Sequence, residues 1–343
     1  AGEAKAGEAK AGEAKAGGLT GALSGLRRTR AAGTENLAER LFVPAILLAL
    51  GAYLSATNEF FLDADNIENI FIQASILAIV SFGVTFVVLA GEFDLSVGSG
   101  VALTSVVSAL VMRDSGSIAL GVGAAVVVGA LMGVVNGLIV TRLEVPSFIT
   151  TLGMLTIASG IALAAADGQA VTGVPEGIGE LADSKFLGIN YVIWLVFAVF
   201  AVLYFVQSQT TFGIRVFATG GNREAARLSG ISVDRVRLAC FVISGLTVAI
   251  AGISLTGRVE SGQPNGGALL ELDAVAAIVI GGTSLLGGRG SVVGTLWGVL
   301  FIATLRNGLD LEGVGDDLKS IIIGTVFILA ASVDFFRRQL RQR

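Results

Sequence analysis

The sequence predicts an all-α, polytopic membrane protein of about ten transmembrane helices, some of them broken or short. Three observations lead there. Hydrophobic residues fill 53% of the 343 positions and charged residues only 15%, too little polar surface for an ordinary water-soluble domain. Apolar runs long enough to cross a hydrocarbon layer recur between residues 41 and 336. Glycine is abundant (47) and proline scarce (4), a composition that lets membrane helices approach closely.

Three regions follow from this pattern. Residues 1–40 form an N-terminal tail. Its first part, AGEAKAGEAKAGEAKA, is a five-residue repeat without an apolar face, so it is expected to be soluble and partly helical or disordered. Residues 41–336 are the membrane domain, and residues 337–343 a basic C-terminus. Within the domain the expected spans are 41–57, 67–90, 95–112, 117–140, 147–166, 190–206, 238–257, 272–286, 291–305 and 318–336. The eighth and ninth are shorter than the ~20 residues of a straight crossing. Between them lies SLLGGRGS (284–291), and the third span is entered through the irregular GEFDLSVGS (91–99). Non-helical backbone at membrane depth is tolerated only where protein buries it or water lines it.

The basic residues test the count. With the N-terminus in the cytoplasm and strict alternation, fifteen of the twenty Lys and Arg beyond the repeat fall on the cytoplasmic side. Only Arg113, Lys185, Arg258, Arg306 and Lys319 fall opposite. The positive-inside rule therefore favours an even count with both termini cytoplasmic.

Absences exclude whole classes of chemistry. There is no histidine, so there are no Ser-His or Cys-His nucleophile pairs and no imidazole metal sites. The single cysteine, Cys240, allows no internal disulfide or thiolate cluster. None of the five lysines follows a glycine, so the chain has no GxxxxGK[ST] phosphate loop. If ATP drives this protein, a partner subunit binds it; no cofactor or metal is expected in the chain itself. No basic stripe with interleaved aromatics points to nucleic acid.

One charged stretch interrupts the apolar pattern: GGNREAARLSGI, residues 220–231, in the longest internal cytoplasmic loop. Asn222 is a good N-cap and Gly230 a good C-terminal stop. Glu224 and Arg227 are spaced to pair, and Ala225, Leu228 and Ile231 fall on one small apolar face. A helix of Arg223, Glu224, Ala225, Ala226, Arg227, Leu228 and Ser229 is too short to be stable alone. It must dock, either on a cytoplasmic partner protein or on lipid headgroups.

GGNREAARLSGI resembles the coupling-helix motif of ABC-transporter permeases of the ribose/xylose type. GEFDLSVGS is similar to that family's GGIDLSVGS segment, with Glu92 and Phe93 where Gly and Ile are commoner. GGTSLLGGRGSVVGTLWG (281–298) and NGLDLEGV (307–314) resemble its late glycine-rich block. The likeness covers about residues 41–336. It implies a membrane-spanning permease subunit of an ATP-driven importer in the bacterial cytoplasmic (inner) membrane. Residues 222–230 would couple to an ABC ATPase subunit. An extracytoplasmic solute-binding protein would deliver a small hydrophilic solute such as a monosaccharide. A second permease chain, expected as a homodimer, would complete the membrane part.

Several polar residues within the domain are candidates for the pathway or gate: Gln73, Asp94, Ser96, Asn136, Gly287, Gly288, Trp297 and Asn307. Neutral amides and hydroxyls suit a sugar, with aromatic stacking from Trp297; interhelical hydrogen bonding is the alternative. Asp94 either caps the third span or serves a gate. The rival reading of the whole chain is an ion-coupled secondary transporter, which would need carboxylates deep in the bundle.

Overall fold

The structure is a computed structural model and describes residues 41–342. The N-terminal tail, with its repeat, lies outside the described residues, as does Arg343. The chain divides into a unit ending at Ile46 and a second from Leu47 onward, and the architecture here is that of the second.

The helices are α1 (Leu41–Thr57), α2 (Ala64–Leu89), α3 (Val97–Ser115), α4 (Ile118–Arg142), α5 (Ser147–Ala165) and α6 (Gly177–Asp183). A two-residue hairpin, β1 (Lys185–Phe186) and β2 (Ile189–Asn190), leads into α7 (Tyr191–Gln209), α8 (Thr211–Gly221) and α9 (Arg223–Leu228). Then come α10 (Val233–Val259), α11 (Leu270–Ile280), α12 (Val292–Leu311) and α13 (Asp316–Gln342). Among the described residues, seven helices are long and apolar enough to cross a membrane: α2, α3, α4, α5, α7, α10 and α12. The other three expected spans fall on α1, on α11 with 11 residues, and on α13, whose C-terminal part is strongly basic. The all-α class and the broken segments are there, while helix length alone gives seven crossings rather than ten.

Burial sorts the helices into an inner and an outer set. The apolar window of α2 is 83% buried, whereas that of α5 is 22% buried, so α2 is a central post and α5 presents most of its surface outward. From Leu77 to Ala90 every residue of α2 and its C-cap is buried. Helix α10 packs against α2, α3 and α4. Along α4, Gly129, Gly133 and Gly137 recur every four residues and face Gly245, Phe241 and Leu238 of α10. A Cβ at Gly129 would strike the Gly245 carbonyl, which is why the two backbones can touch.

The same order of elements occurs twice: a long helix, a non-helical break, then three helices. The first set is α2, residues 91–96, and α3 to α5; the second is α10, residues 261–269, and α11 to α13. The long helix of each packs on the third helix of the other, α2 on α12 and α10 on α4. The two breaks meet where α3 and α11 begin, with Gly267 against the Gly98 carbonyl. The second break is held along α3: the Gln263 N–H donates to Ser105 Oγ at 3.1 Å, and Gly262 exchanges two backbone bonds of 2.9 Å with Val171.

Candidate functional site at the arginine-rich end of the bundle

Helix α9 forms as its sequence requires. Asn222 Oδ1 accepts the Ala225 N–H at 2.9 Å. At the other end Gly230 is left-handed (φ 81°), and the Ile231 and Gly230 N–H groups reach the Ala226 and Arg227 carbonyls, both at 3.0 Å. That pair of bonds closes the last carbonyls of the helix. The expected apolar face is left open, and a different residue meets the bundle. Ala226 turns into the bundle, while Leu228 stands 81% exposed. Arg227 lies 4.0 Å from Asp234 of α10 rather than pairing with Glu224.

Two sets of contacts hold α8 and α9 to the bundle. The first is made of backbone. Gly288 N–H donates to the Leu89 carbonyl, the last residue of α2, at 2.9 Å. Gly220 lies so close to that same carbonyl that a Cβ could not be placed there. A Cβ at Gly287 would come within 2.8 Å of Gly91, and one at Gly288 within 2.7 Å of Gly221. Gly287 and Gly288 both have positive φ, so no other residue suits either the space or the backbone. The end of α2, the end of α8 and the break 281–291 thus meet backbone to backbone.

The second set is ionic. Glu92 is buried, with 5% of its side chain exposed. Its Oε1 accepts from Arg237 Nε of α10 at 2.7 Å and from Arg223 Nη2 of α9. Arg223 Nη2 also donates to the Gly91 carbonyl at 2.9 Å. Arg237 approaches Asp234 at 3.7 Å, and Asp234 approaches Arg227. A buried carboxylate without such partners would be strongly unfavourable.

Two residues on, Asp94 is equally buried yet meets no cation among the described ion pairs. Its Oδ1 accepts from the Ser96 N–H (3.1 Å) and Ser96 Oγ (2.6 Å), and its Oδ2 from Ser244 Oγ of α10 (2.8 Å). Asn136 Nδ2 of α4 donates to Ser96 Oγ at 2.9 Å. Asp94, Ser96 and Asn136 therefore form one network that fixes the break 91–96 between α4 and α10. Ser96, not Asp94, occupies the N-cap position of α3. Phe93 adds a tie to α5, its N–H donating to Ser147 Oγ at 3.1 Å.

The remaining candidates lie elsewhere. Among the described residues Gln73 bonds within its own helix, to Asn69 Oδ1 at 3.2 Å. Asn307 is buried and exchanges two amide bonds with Asn66, of 3.1 and 2.8 Å, joining α12 to the start of α2. Trp297 is half-buried on α12. What sequence reasoning missed is the service of Glu92 to two arginines. A signal existed: Arg223 sits at the first position of a helix, where a cation is disfavoured unless a carboxylate answers it. Glu92 also stands where glycine is commoner in the segment it resembles.

Residues 66–331 match the family described as branched-chain amino acid transport system / permease component. The chain is 39% identical over 303 residues to the ribose import permease protein of Haemophilus influenzae, covering 86% of this chain and 92% of that one. It is 39% identical over 318 residues to the ribose import permease protein of Bacillus subtilis, covering 90% and 98%. It is 35% identical over 310 residues to the L-arabinose ABC transporter permease protein of Azospirillum brasilense, covering 90% and 91%. No solved structure matches the chain.

Proposed function

This chain belongs to the family of branched-chain amino acid transport system permease components, a family of transport proteins rather than enzymes, and we propose from that premise what it carries and with whom. It is the membrane-spanning subunit of an ATP-driven importer of a monosaccharide in the inner membrane of a bacterium. The relatives named for ribose and L-arabinose import support the sugar. The membrane domain spans residues 41–336 and crosses ten times, with α1, α11 and α13 completing the seven long helices. The N-terminal tail 1–40 and the basic residues 337–343 then both face the cytoplasm, as the arginine distribution favours.

The partners are an ABC ATPase that binds the ATP, a solute-binding protein on the opposite face, and a second copy of this chain. Asp94, Ser96 and Asn136 hold the broken segment in place, and Gly287 and Gly288 form the joint by which α8 and α9 act on α2. Gln73, Trp297 and Asn307 remain candidates for the solute's route, away from the break 91–96.

The observation that carries the reading is α9 itself. It is capped at both ends, bound inward by ions, and turns Leu228 and Arg227 outward. Leu286, on the break touching Gly91, is a second apolar side chain left exposed (77%). Such a knob, too small to insert in lipid as an independent helix, suits a groove on a protein. An ion-coupled mechanism would need a deep carboxylate free to bind an ion, whereas Glu92 is taken by arginines and both Asp94 oxygens accept from Ser96 and Ser244.

Purification of the chain from native membranes in mild detergent tests this. An ATPase subunit is expected to accompany the wild type and to be lost from Leu228→Asp, with membrane insertion unchanged and sugar uptake abolished. An L228D chain that retains the ATPase and transports normally would refute the assignment.

A further inference from the structure

Arg223 and Arg227 are four residues apart, so they lie on one face of α9. Each is answered by a carboxylate from the bundle: Glu92 for Arg223 and Asp234 for Arg227. Arg237 joins the two carboxylates. The result is a chain of alternating charge between α9 and α10, tight and buried at Glu92 and loose and exposed at the 4.0 Å Arg227–Asp234 pair.

Glu92 has a place in this relay that Asp234 lacks. Asp234 sits in the first turn of a long helix. Glu92 sits on the break 91–96, whose next residues are each tied to a different helix. Phe93 is bound to α5, Asp94 to α10 and Ser96 to α4. The break itself leads into α3. A displacement of Arg223 is therefore delivered through one carboxylate to a segment touching four helices.

We propose that Glu92 is a positioning residue of the transport cycle, its carboxylate clamped between Arg223 and Arg237 so that movement of α9 enters the broken segment and shifts α3, α4, α5 and α10 together. This rests on the reading of α9 as the docking element for the ATPase. The link belongs to this chain's own sequence, since a glycine at position 92 would offer neither arginine a partner. The two guanidiniums also offset the cost of burying the Glu92 carboxylate. The backbone joint at Gly220 and Gly288 acts as the pivot, and the Glu92 relay sets how far the pivot turns.

The test uses the complex co-purified from native membranes, reconstituted in vesicles with ATP and radiolabelled ribose or L-arabinose as the probe sugar. The readout is sugar taken up per ATP hydrolysed. Glu92→Gln and Arg223→Gln should each lower that ratio about tenfold while the ATPase subunit remains bound. The double variant should be no worse than either single one, because both act through one contact. Glu92→Asp should restore part of the ratio.

Wild-type ratios in both single variants would overturn the proposal, as would losses that multiply in the double variant. Loss of the ATPase from E92Q would also overturn it, since Glu92 would then serve docking rather than transmission. Should E92Q fail to insert, R223Q carries the same measurement, because its half-exposed side chain contributes little to packing. Leu228→Asp separates the two claims: an L228D complex that keeps its ATPase brings down the docking of α9 and leaves the ionic link as structure alone.

Discussion

The two ends of the bundle are held by different means. At the end containing Leu89, five glycines (Gly91, Gly220, Gly221, Gly287 and Gly288) bring three stretches of backbone into direct contact, and a buried carboxylate is shared by two guanidiniums. At the end containing Asn66, the ties run between side chains: the amide pair of Asn66 and Asn307, and Lys185 with Glu68 at 2.6 Å. Backbone contacts have no rotatable bonds to absorb a shift, so displacement of one stretch displaces its neighbours. Side-chain ties can follow a small movement by changing torsion angle. Under the proposed coupling through α9, the first end transmits and the second stays closed. Close-packed joints of this kind switch between discrete arrangements rather than deforming continuously.

The largest effect that would sharpen this contrast is expected at Gly220. A Cβ there meets the Leu89 carbonyl and the Gly288 amide, neither of which can yield without moving helix or break. Gly220→Ala should cost about 1–3 kcal/mol, in the range of overpacking in a tight interior, and should remove uptake. Gly221→Ala, next in sequence and with open space around its Cβ, should keep both. Thermal inactivation of the purified chain, read beside uptake, compares them. Equal stability and uptake in the two variants would mean that the joint has slack, and the contrast between the ends would fail.

A similar effect is expected one layer deeper. Asp94→Ala leaves the Ser96 N–H, Ser96 hydroxyl and Ser244 hydroxyl without their acceptor, which should destabilise by about 3 kcal/mol. Asp94→Asn keeps the shape and one acceptor oxygen, and Ser244 can turn to accept from the amide. Its cost should stay below about 1 kcal/mol, with uptake preserved. Unfolding of both variants in detergent decides the matter. Equal damage would mean that the charge of Asp94 is used, as that of Glu92 is, and not its hydrogen bonds alone.

These residues also show what was legible beforehand. The caps Asn222 and Gly230 are local, so sequence placed α9 within a residue or two. The apolar runs located every long helix, and the glycine pairs marked the breaks. Asp94, Ser96 and Asn136 were each singled out, but their meeting depends on α4 and α10 lying beside the break, which spacing does not encode. Glu92 and Arg223 are 131 positions apart, and nothing local pairs them. The inward side of α9 was not legible for a related reason: Ala225, Leu228 and Ile231 share the expected apolar face, which stays open at Leu228, while it is Ala226 that meets the bundle. Crossing number was harder still, since α11 is an apolar run of crossing character whose helix stops at 11 residues where Gly281 meets Gly294.

The smallest effect belongs to the quiet end. Asn307→Ala removes two amide bonds to Asn66, but Asn66 keeps its 2.9 Å bond to the Phe61 carbonyl, so no donor is wholly abandoned. Hydrogen bonds between membrane helices are individually modest, and the loss should be about 1 kcal/mol in stability. Uptake per ATP should be unchanged for both ribose and L-arabinose, because the clasp neither joins the break 91–96 nor touches α9. A change in the preference between the two sugars, at intact stability, would place Asn307 on the solute's route. The end around Asn66 would then be more than a closure, and the division of labour between the two ends would have to be given up in favour of a path that runs through both.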